Sequence, residues 1–290
     1  MKTLPLIAAV FGCGRVHFDP LVGDGAIAND GVAITGCWPR WHQHTVQFSA
    51  AMNVPFGPYD PSLAGDDVWT YYTDFSNDIW VTNNGVDFSN VTQFNSAQAE
   101  WRVTLSNDLR VAVIASGRTG GSGGVDLWMS QRDSATAGFP PPDQTLLSAL
   151  NDGFDQWDPE LSRDGLHLYY APTTATGQVI MLATRQAITE PFGVPTFVDL
   201  PSPFIAPAVP TGASDPTLSP DELVMVLTLG MDVYYATRSS QSDAFGVPQP
   251  LADINTAALE ADGELSADGC VFYYSSDRDG PRAIYVVYMQ

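Results

Sequence analysis

Positive charge is scarce in this chain: 12 Lys and Arg stand against 33 Asp and Glu, a formal net charge of −21. A surface of that sign repels nucleic acid and anionic lipid, so binding to either is set aside. Sustained helical periodicity is also missing. No stretch keeps apolar residues at i, i+3, i+4 and i+7, and 25 Gly and 22 Pro interrupt any long helix. The chain lacks a nucleophile elbow, a phosphate loop and metal-type histidine spacing. No catalytic residue and no metal ligand is therefore assigned.

What is present is apolar material in short runs. Hydrophobic residues make up 44% of the chain, with 14 Phe, 11 Tyr and 7 Trp, which excludes a disordered chain. Runs such as Leu166–Ala171 and Val179–Thr184 have strand length, bounded by turn residues. All-β is the class that fits. The acids are 27 Asp and only 6 Glu. Asp bonds its own backbone in turns, so this bias reads first as turn chemistry. Calcium in Asp-rich loops is the functional alternative, but no twelve-residue loop with ligands at alternating positions is present.

One pattern recurs five times. It is fullest at Trp157–Tyr170 (Trp-Asp-Pro-Glu-Leu-Ser-Arg-Asp-Gly-Leu-His-Leu-Tyr-Tyr) and returns at Tyr59–Tyr72, Trp101–Ile114, Ser214–Leu227 and Ala261–Tyr274. Its leucines, Leu63, Leu105, Leu161, Leu218 and Leu265, are spaced by 42, 56, 57 and 47 residues. Each copy parses as a strand ending at Leu-Ser, a turn rich in Asp and Gly, and an apolar strand running back. A third strand follows at Asp78–Thr82, Asp126–Ser130, Val179–Thr184, Asp232–Thr237 and Ala283–Tyr288. A variable fourth follows a Phe-Gly or Phe-Ser element, as at Thr196–Leu200. Four antiparallel strands per repeat of this length predict a five-bladed β-propeller. The last repeat stops after its third strand. The segment Thr45–Ala50 is expected to supply the missing strand by pairing with Ala283–Met289, closing the ring.

These residues resemble the WD-like propeller repeats of the TolB type. The resemblance rests on Asp215–Asp221 and Asp158–Gly165, on Ser276–Gly280 and Ser116–Gly120, and on Asp78-Ile79-Trp80, Asp126-Leu127-Trp128 and Asp232-Val233-Tyr234. It covers about Tyr59 to Gln290 and departs at Arg102, which replaces the usual Asp. It implies an interaction platform without naming a partner; the leading expectation is a non-enzymatic module of the cell envelope, a monomer, that binds a protein or glycan. In such repeats the Asp-Pro acids are normally structural.

The N-terminus reads as an export signal over residues 1–12, with Lys2 and the apolar run Leu4–Phe11. Val10-Phe11-Gly12-Cys13 resembles a bacterial lipoprotein lipobox, which implies a lipid anchor on Cys13 as the sole membrane attachment. Gly14 after it, in place of an acid, implies by the same resemblance the outer membrane; a periplasmic or cell-surface location is the wider expectation for an exported chain. An extension over 13–43 then precedes the propeller at 44–290, with repeats starting near 59, 101, 157, 214 and 261. Cys37 and Cys270 remain as a candidate disulfide, because ring closure brings Cys37 to the fifth blade.

Strand directions gather the repeat starts and the loops between second and third strands on one face. Asp60, Trp101, Arg102, Arg118, Trp157, Asp158, Asp215, Asp262 and Arg278 are the candidate ligand face. The long Gly117–Gly124 loop lies beside them. The bland account is that these acids bond backbone amides between blades and the Trp rings pack on neighbours. His42 and His44 read as part of the pre-strand extension rather than a metal pair, and His167 as a packed or surface strand residue. The alternative function is a glycoside hydrolase using Asp60, Asp158, Asp215, Asp262, Glu160 and Glu264 around the channel.

Overall fold

The computed structural model describes residues 36–54, 57–65, 67–201 and 212–290. The export segment 1–12 and Cys13 lie outside the described residues. After a single helical turn, α1 (Trp38–His42), every element is a strand. A short N-terminal strand, β1 (Met52–Asn53), comes first. Blade one holds β2 (Tyr59–Ala64), β3 (Trp69–Thr73), β4 (Ile79–Thr82) and β5 (Ser89–Asn90). Blade two holds β6 (Glu100–Leu105), β7 (Val111–Ser116) and β8 (Asp126–Gln131), with one bridge from Met129 to Asp143 in place of a fourth strand. Blade three holds β9 (Gln156–Leu161), β10 (His167–Thr174), its short extension β11 (Gly177–Gln178), β12 (Met181–Thr184) and β13 (Thr196–Phe197). Blade four holds β14 (Ala213–Leu218), β15 (Val224–Leu229), β16 (Asp232–Thr237) and β17 (Gln249–Pro250). Blade five holds β18 (Glu260–Leu265), β19 (Val271–Ser276) and β20 (Ala283–Tyr288), completed by β1.

All pairings within these sheets are antiparallel, and the first strands β2, β6, β9, β14 and β18 contact one another in a closed ring around the axis. The second strands show why the sequence folds this way. Val111–Ser116 and Val224–Leu229 are buried at every position. A strand packed between two neighbouring sheets has no solvent face, so it reads as a continuous apolar run. Its odd and even residues fill different inter-blade cores. Val224 and Val226 pack with Phe272 and Tyr274 of blade five, while Met225 and Leu227 pack with Tyr169 and Ile180 of blade three.

The turns between first and second strands share one chemistry. In four of them the serine hydroxyl donates to the Asp two residues on: Ser106 to Asp108, Ser162 to Asp164, Ser219 to Asp221 and Ser266 to Asp268, at 2.6 or 2.7 Å. Each Asp then accepts the amide two residues further on, as Cys270 donates to Asp268 at 2.9 Å. The next residue turns left-handed, with φ of 60° at Leu109, 75° at Gly165, 58° at Glu222 and 69° at Gly269. Much of the aspartate bias is this device repeated.

The ring closes through the N-terminal segment, one step later in sequence than expected. Within Thr45–Ala50 one bridge joins Phe48 to Met289, just past β20, flanked by the Ser49 amide donating to the Tyr288 carbonyl at 2.8 Å, and the regular pairing is Met52 with Val286 and Asn53 with Tyr285. The third and fourth strands are also shorter than read at Met181–Thr184 and Thr196–Phe197. Above the closure, Trp41 is fully buried against Phe48 and Tyr235, and its indole donates to the Gly269 carbonyl at 2.9 Å. Trp38 covers Gly269 so closely that a Cβ there would sit 2.8 Å from the indole ring. A disulfide joins Cys37 to Cys270, which immediately precedes the second strand of blade five rather than lying on it.

This clasp links positions 233 residues apart and holds the two ends of the ring together. Removing it frees the unfolded chain and loosens the last blade. Cys270→Ser is expected to cost about 3 kcal/mol, or roughly 10 °C in Tm. Thermal unfolding with and without reductant checks this: reductant should lower the wild-type Tm toward that of the variant and leave the variant unchanged.

Candidate functional site: an acid ring with an axial arginine

The repeat-start acids Asp60, Asp158, Asp215 and Asp262, the first three followed by proline, sit on a break in their first strands. Pairing with the second strand shifts register between Tyr59 and Ser62, Ser214 and Thr217, and Ala261 and Glu264, with a matching shift in blade three. At each of these bulges the aspartate is left-handed: φ is 50° at Asp60, 52° at Asp158, 51° at Asp215 and 53° at Asp262. Asp tolerates this region better than most side chains, and the bulge re-aims the strand. So the recurring acid is in the first place a backbone requirement. Blade two makes its bulge between Glu100 and Val103 with Arg102 at the equivalent position, and Arg102 has no left-handed φ.

Two tiers of side chains result. Asp60, Arg102, Asp158, Asp215 and Asp262 form the upper tier, and Ser62, Thr104, Glu160, Thr217 and Glu264, two residues on, form the lower. Arg102 is completely buried. Its guanidinium reaches down to Glu264 at 2.9 Å, to Glu160 at 3.4 Å and to the Gly263 carbonyl at 3.2 Å. Blades two and five are not neighbours, so this side chain crosses the axis. Burial opposes its charge, but Glu264 and Glu160 outweigh that and hold its pKa above the usual arginine value.

The lower tier also stitches blade to blade. The Leu63 amide donates to Glu264 at 2.9 Å, the Leu218 amide to Glu160 at 3.4 Å, and the Leu161 amide to Thr104 at 3.0 Å. In each case a side chain of one blade accepts from the conserved-position leucine of the next. Below this tier lies a pocket of about 70 Å³, framed by the first turns of all five blades, with Glu160, Glu264, Thr104 and Thr217 at its inner end. It opens on the face opposite to the candidate ligand face.

On the upper tier Asp158 accepts the Asp215 amide at 3.3 Å, and Asp262 accepts from Arg282 at 2.9 Å and from the Ser275 hydroxyl. Burial pushes five carboxyls of the two tiers up. Asp60 rises to about 7, through burial and then Asp262. Asp158 rises well above the usual range through burial and its neighbours Asp215 and Asp60. Glu264 does so through burial and Glu160, and Asp262 and Glu160 move in the same direction through burial.

The other sequence candidates have structural partners. Arg118 binds Glu100 and the Phe94 carbonyl, and Arg278 binds Glu260 and the Ile254 carbonyl, two copies of one buried cluster. Trp101 and Trp157 pack edge to face with centroids 4.8 Å apart, joining blades two and three. His42 and His44 flank the end of α1, and His44 bonds the Tyr235 hydroxyl at 3.1 Å. His167 is held by Glu222 at 2.9 Å, and Tyr169 donates to the same carboxylate. Among the described residues no three His, Cys, Asp or Glu side chains are grouped to hold a metal ion.

Sequence reasoning missed Arg282 and the buried Glu100 and Glu260. It also missed a repeated lock in which Arg132, Arg185 and Arg238 stack on Phe139, Phe192 and Phe245. The signal was available: each pair is seven residues apart, and each phenylalanine opens the element before a fourth-strand position.

Two outcomes are expected. A carboxyl whose pKa is raised by folding binds more protons in the folded state between its unfolded value, about 4, and its folded value. Stability from this ring is therefore greatest at the acid end of that window and falls as pH rises through it. His167, whose pKa its bond to Glu222 raises, acts with the same sign. Tm should rise as pH is lowered from 7.5 to 5.5. Arg102→Met leaves two buried carboxylates unpaired and should cost about 3–5 kcal/mol at pH 7.5, with a smaller loss at pH 5.5, where they protonate. Urea unfolding at both pH values reads this.

No protein-family model and no curated protein matches this chain. Solved structures do. A TolB from Acinetobacter baumannii matches at 14% identity and TM-score 0.48 over 80% of this chain, which spans 54% of that longer chain. The GH43 endo-arabinanase from Bacillus licheniformis matches at 11% identity and TM-score 0.51, covering 82% of this chain and 96% of its own. A GH43_1 enzyme from Xanthomonas citri matches at 12% identity and TM-score 0.55, covering 85% and 91%. At such identities the likeness is one of fold: this chain is a five-bladed β-propeller.

Proposed function

We propose that this protein is a non-enzymatic propeller of the cell envelope that binds a protein or glycan partner. Arg102 carries the reading. Its guanidinium crosses the axis and pairs with both lower-tier glutamates, which also accept amides of the next blades. Groups so engaged hold the ring together, whereas an acid and a base for hydrolysis must face a substrate between them. Export, a lipid on Cys13 and an outer-membrane or periplasmic location belong to this proposal, as does action as a monomer. The Cys37–Cys270 pair supports an oxidising compartment.

One observation favours glycoside hydrolysis as the second reading. Asp60, pushed up to about 7, is suited to hold a proton at neutral pH beside other carboxyls. Incubating the purified protein with arabinan, xylan and other polysaccharides separates the readings. No released sugar is expected. Turnover that disappears in both Asp60→Asn and Asp158→Asn, with the fold intact, would overturn the binding reading in favour of hydrolysis.

A further inference from the structure

The two ends of the acid ring differ in how their charge is balanced. At the lower tier Arg102 serves Glu160 and Glu264. At the upper tier Arg282 is held by Asp262 and the Ser275 hydroxyl, each at 2.9 Å. Asp60, Asp158 and Asp215 have no ion pair among the described residues. The other arginines of this end, Arg118 and Arg278, are tied to Glu100 and Glu260. Three neighbouring carboxyls thus have no ion pair of their own and feel Arg102 and Arg282 only from a distance.

A second observation comes from the second strands. Ser275 lies opposite Ala261, and its hydroxyl donates to Asp262. Thr73 lies opposite Tyr59, and Thr228 opposite Ser214, so both stand in the same relation to Asp60 and Asp215. Thr73 is 1% exposed and Thr228 3%, yet neither hydroxyl has a hydrogen-bond partner. Unpaired buried hydroxyls are uncommon and costly. Two of them, placed by strand register beside Asp60 and Asp215, mark a place for a group with several donors, although Asp215 already accepts from the Ser214 hydroxyl at 3.0 Å.

The rim of the same face is apolar. Phe75, in the loop between β3 and β4, is 71% exposed and touches the Tyr59 ring edge-on, with centroids 6.2 Å apart. Phe154 is 51% exposed in the segment leading into β9. Met231 is 56% exposed at the β15–β16 turn, and its carbonyl accepts the Glu260 amide at the start of β18. Single exposed apolar residues are ordinary, but these three lie on loops at the same end of the blades as the acids. The carboxylates are not grouped for a metal ion. A planar guanidinium, with five donors spread over several ångströms, suits separated acceptors and aromatic walls better than a point charge does.

We propose that this face docks a protein segment whose arginine side chain enters among Asp60, Asp158 and Asp215 while its apolar neighbours rest on Phe75, Phe154 and Met231. This rests on the binding reading above and narrows the partner to a basic segment of protein. The −21 net charge of the chain draws such a segment in, and salt should weaken the encounter.

The test uses the immobilised full chain and two pools of random acetylated heptapeptide amides, one with arginine at the centre and one with citrulline. Citrulline keeps the shape and removes the charge. The arginine pool should be retained at least tenfold better at 50 mM NaCl, and most of that preference should vanish at 500 mM. Asp60→Asn with Asp158→Asn should abolish the preference, because Asn keeps the left-handed backbone but not the charge. Phe75→Ser, which removes no core contact, should cut retention about threefold and decides the matter if the double variant does not fold. Equal retention of both pools, or full retention by the folded double variant and by Phe75→Ser, overturns the proposal. So does calcium chloride that displaces the peptides at micromolar concentration, since the site would then be a metal site. If the arginine preference is absent and polysaccharides are also untouched, the binding reading stands and only this site falls.

Discussion

Arg102 occupies the one place that five-fold repetition leaves unbalanced. Each blade brings its first strand to the axis, so whatever residue type the repeat carries there is multiplied around a circle. Here it carries Asp, left-handed on the bulge in four of the five blades, followed two positions later by a side chain that in three blades reaches the next blade. Four aspartates and two glutamates are thereby drawn together away from water. One repeat departs from the pattern, and its arginine spans the axis to the two glutamates. The departure is what makes the repetition tolerable, since like charges this close at low dielectric repel strongly.

The same logic explains the remaining arginines. Arg132, Arg185 and Arg238 stack on a phenylalanine seven residues away and bond carbonyls of the first turn or of their own loop. Arg118 and Arg278 neutralise the buried Glu100 and Glu260. The interior nevertheless holds more acids than cations: among the described residues nine Asp and Glu are buried against Arg102 and Arg185, so part of the net charge of −21 lies inside the ring.

How much of this was legible in the sequence follows from which interactions are local. The blade count, the Ser-x-Asp turns and the apolar second strands depend on residues close in the chain, and they recur in four or five blades, so the repeat exposes them. The role of Arg102 was not legible. Sequence marks it as a departure from Asp, but its partners Glu160 and Glu264 are 58 and 162 residues away. Arg118 and Arg278 looked like a ligand face because they share a side with the acids. Their true partners, Glu100 and Glu260, sit one position before the repeat segment, outside the pattern that drew attention to it. The closing strand was placed correctly in the ring yet early in sequence, because Met52–Asn53 has no alternation to announce it, being exposed at both positions.

Repetition also bears on whether the acids catalyse. Equivalent positions begin with equivalent environments, and acid–base chemistry needs environments that differ. Two substitutions break the equivalence here. Arg102 pulls the lower tier into a closed network, and Arg282 does the same for Asp262 with help from Ser275. What remains distinct is the group without a cation: Asp60, Asp158 and Asp215, with Thr73 and Thr228 unpaired beside two of them. Their asymmetry is one of missing positive charge. A hydrolase would use such acids to shuttle a proton through a bound sugar, but a sugar brings no charge to relieve them. A cationic side chain does, and it meets the unpaired hydroxyls and the apolar rim with the same insertion. That convergence of three separate deficits at one mouth is why the upper face reads as a receptor and the lower tier as the pin that holds the ring.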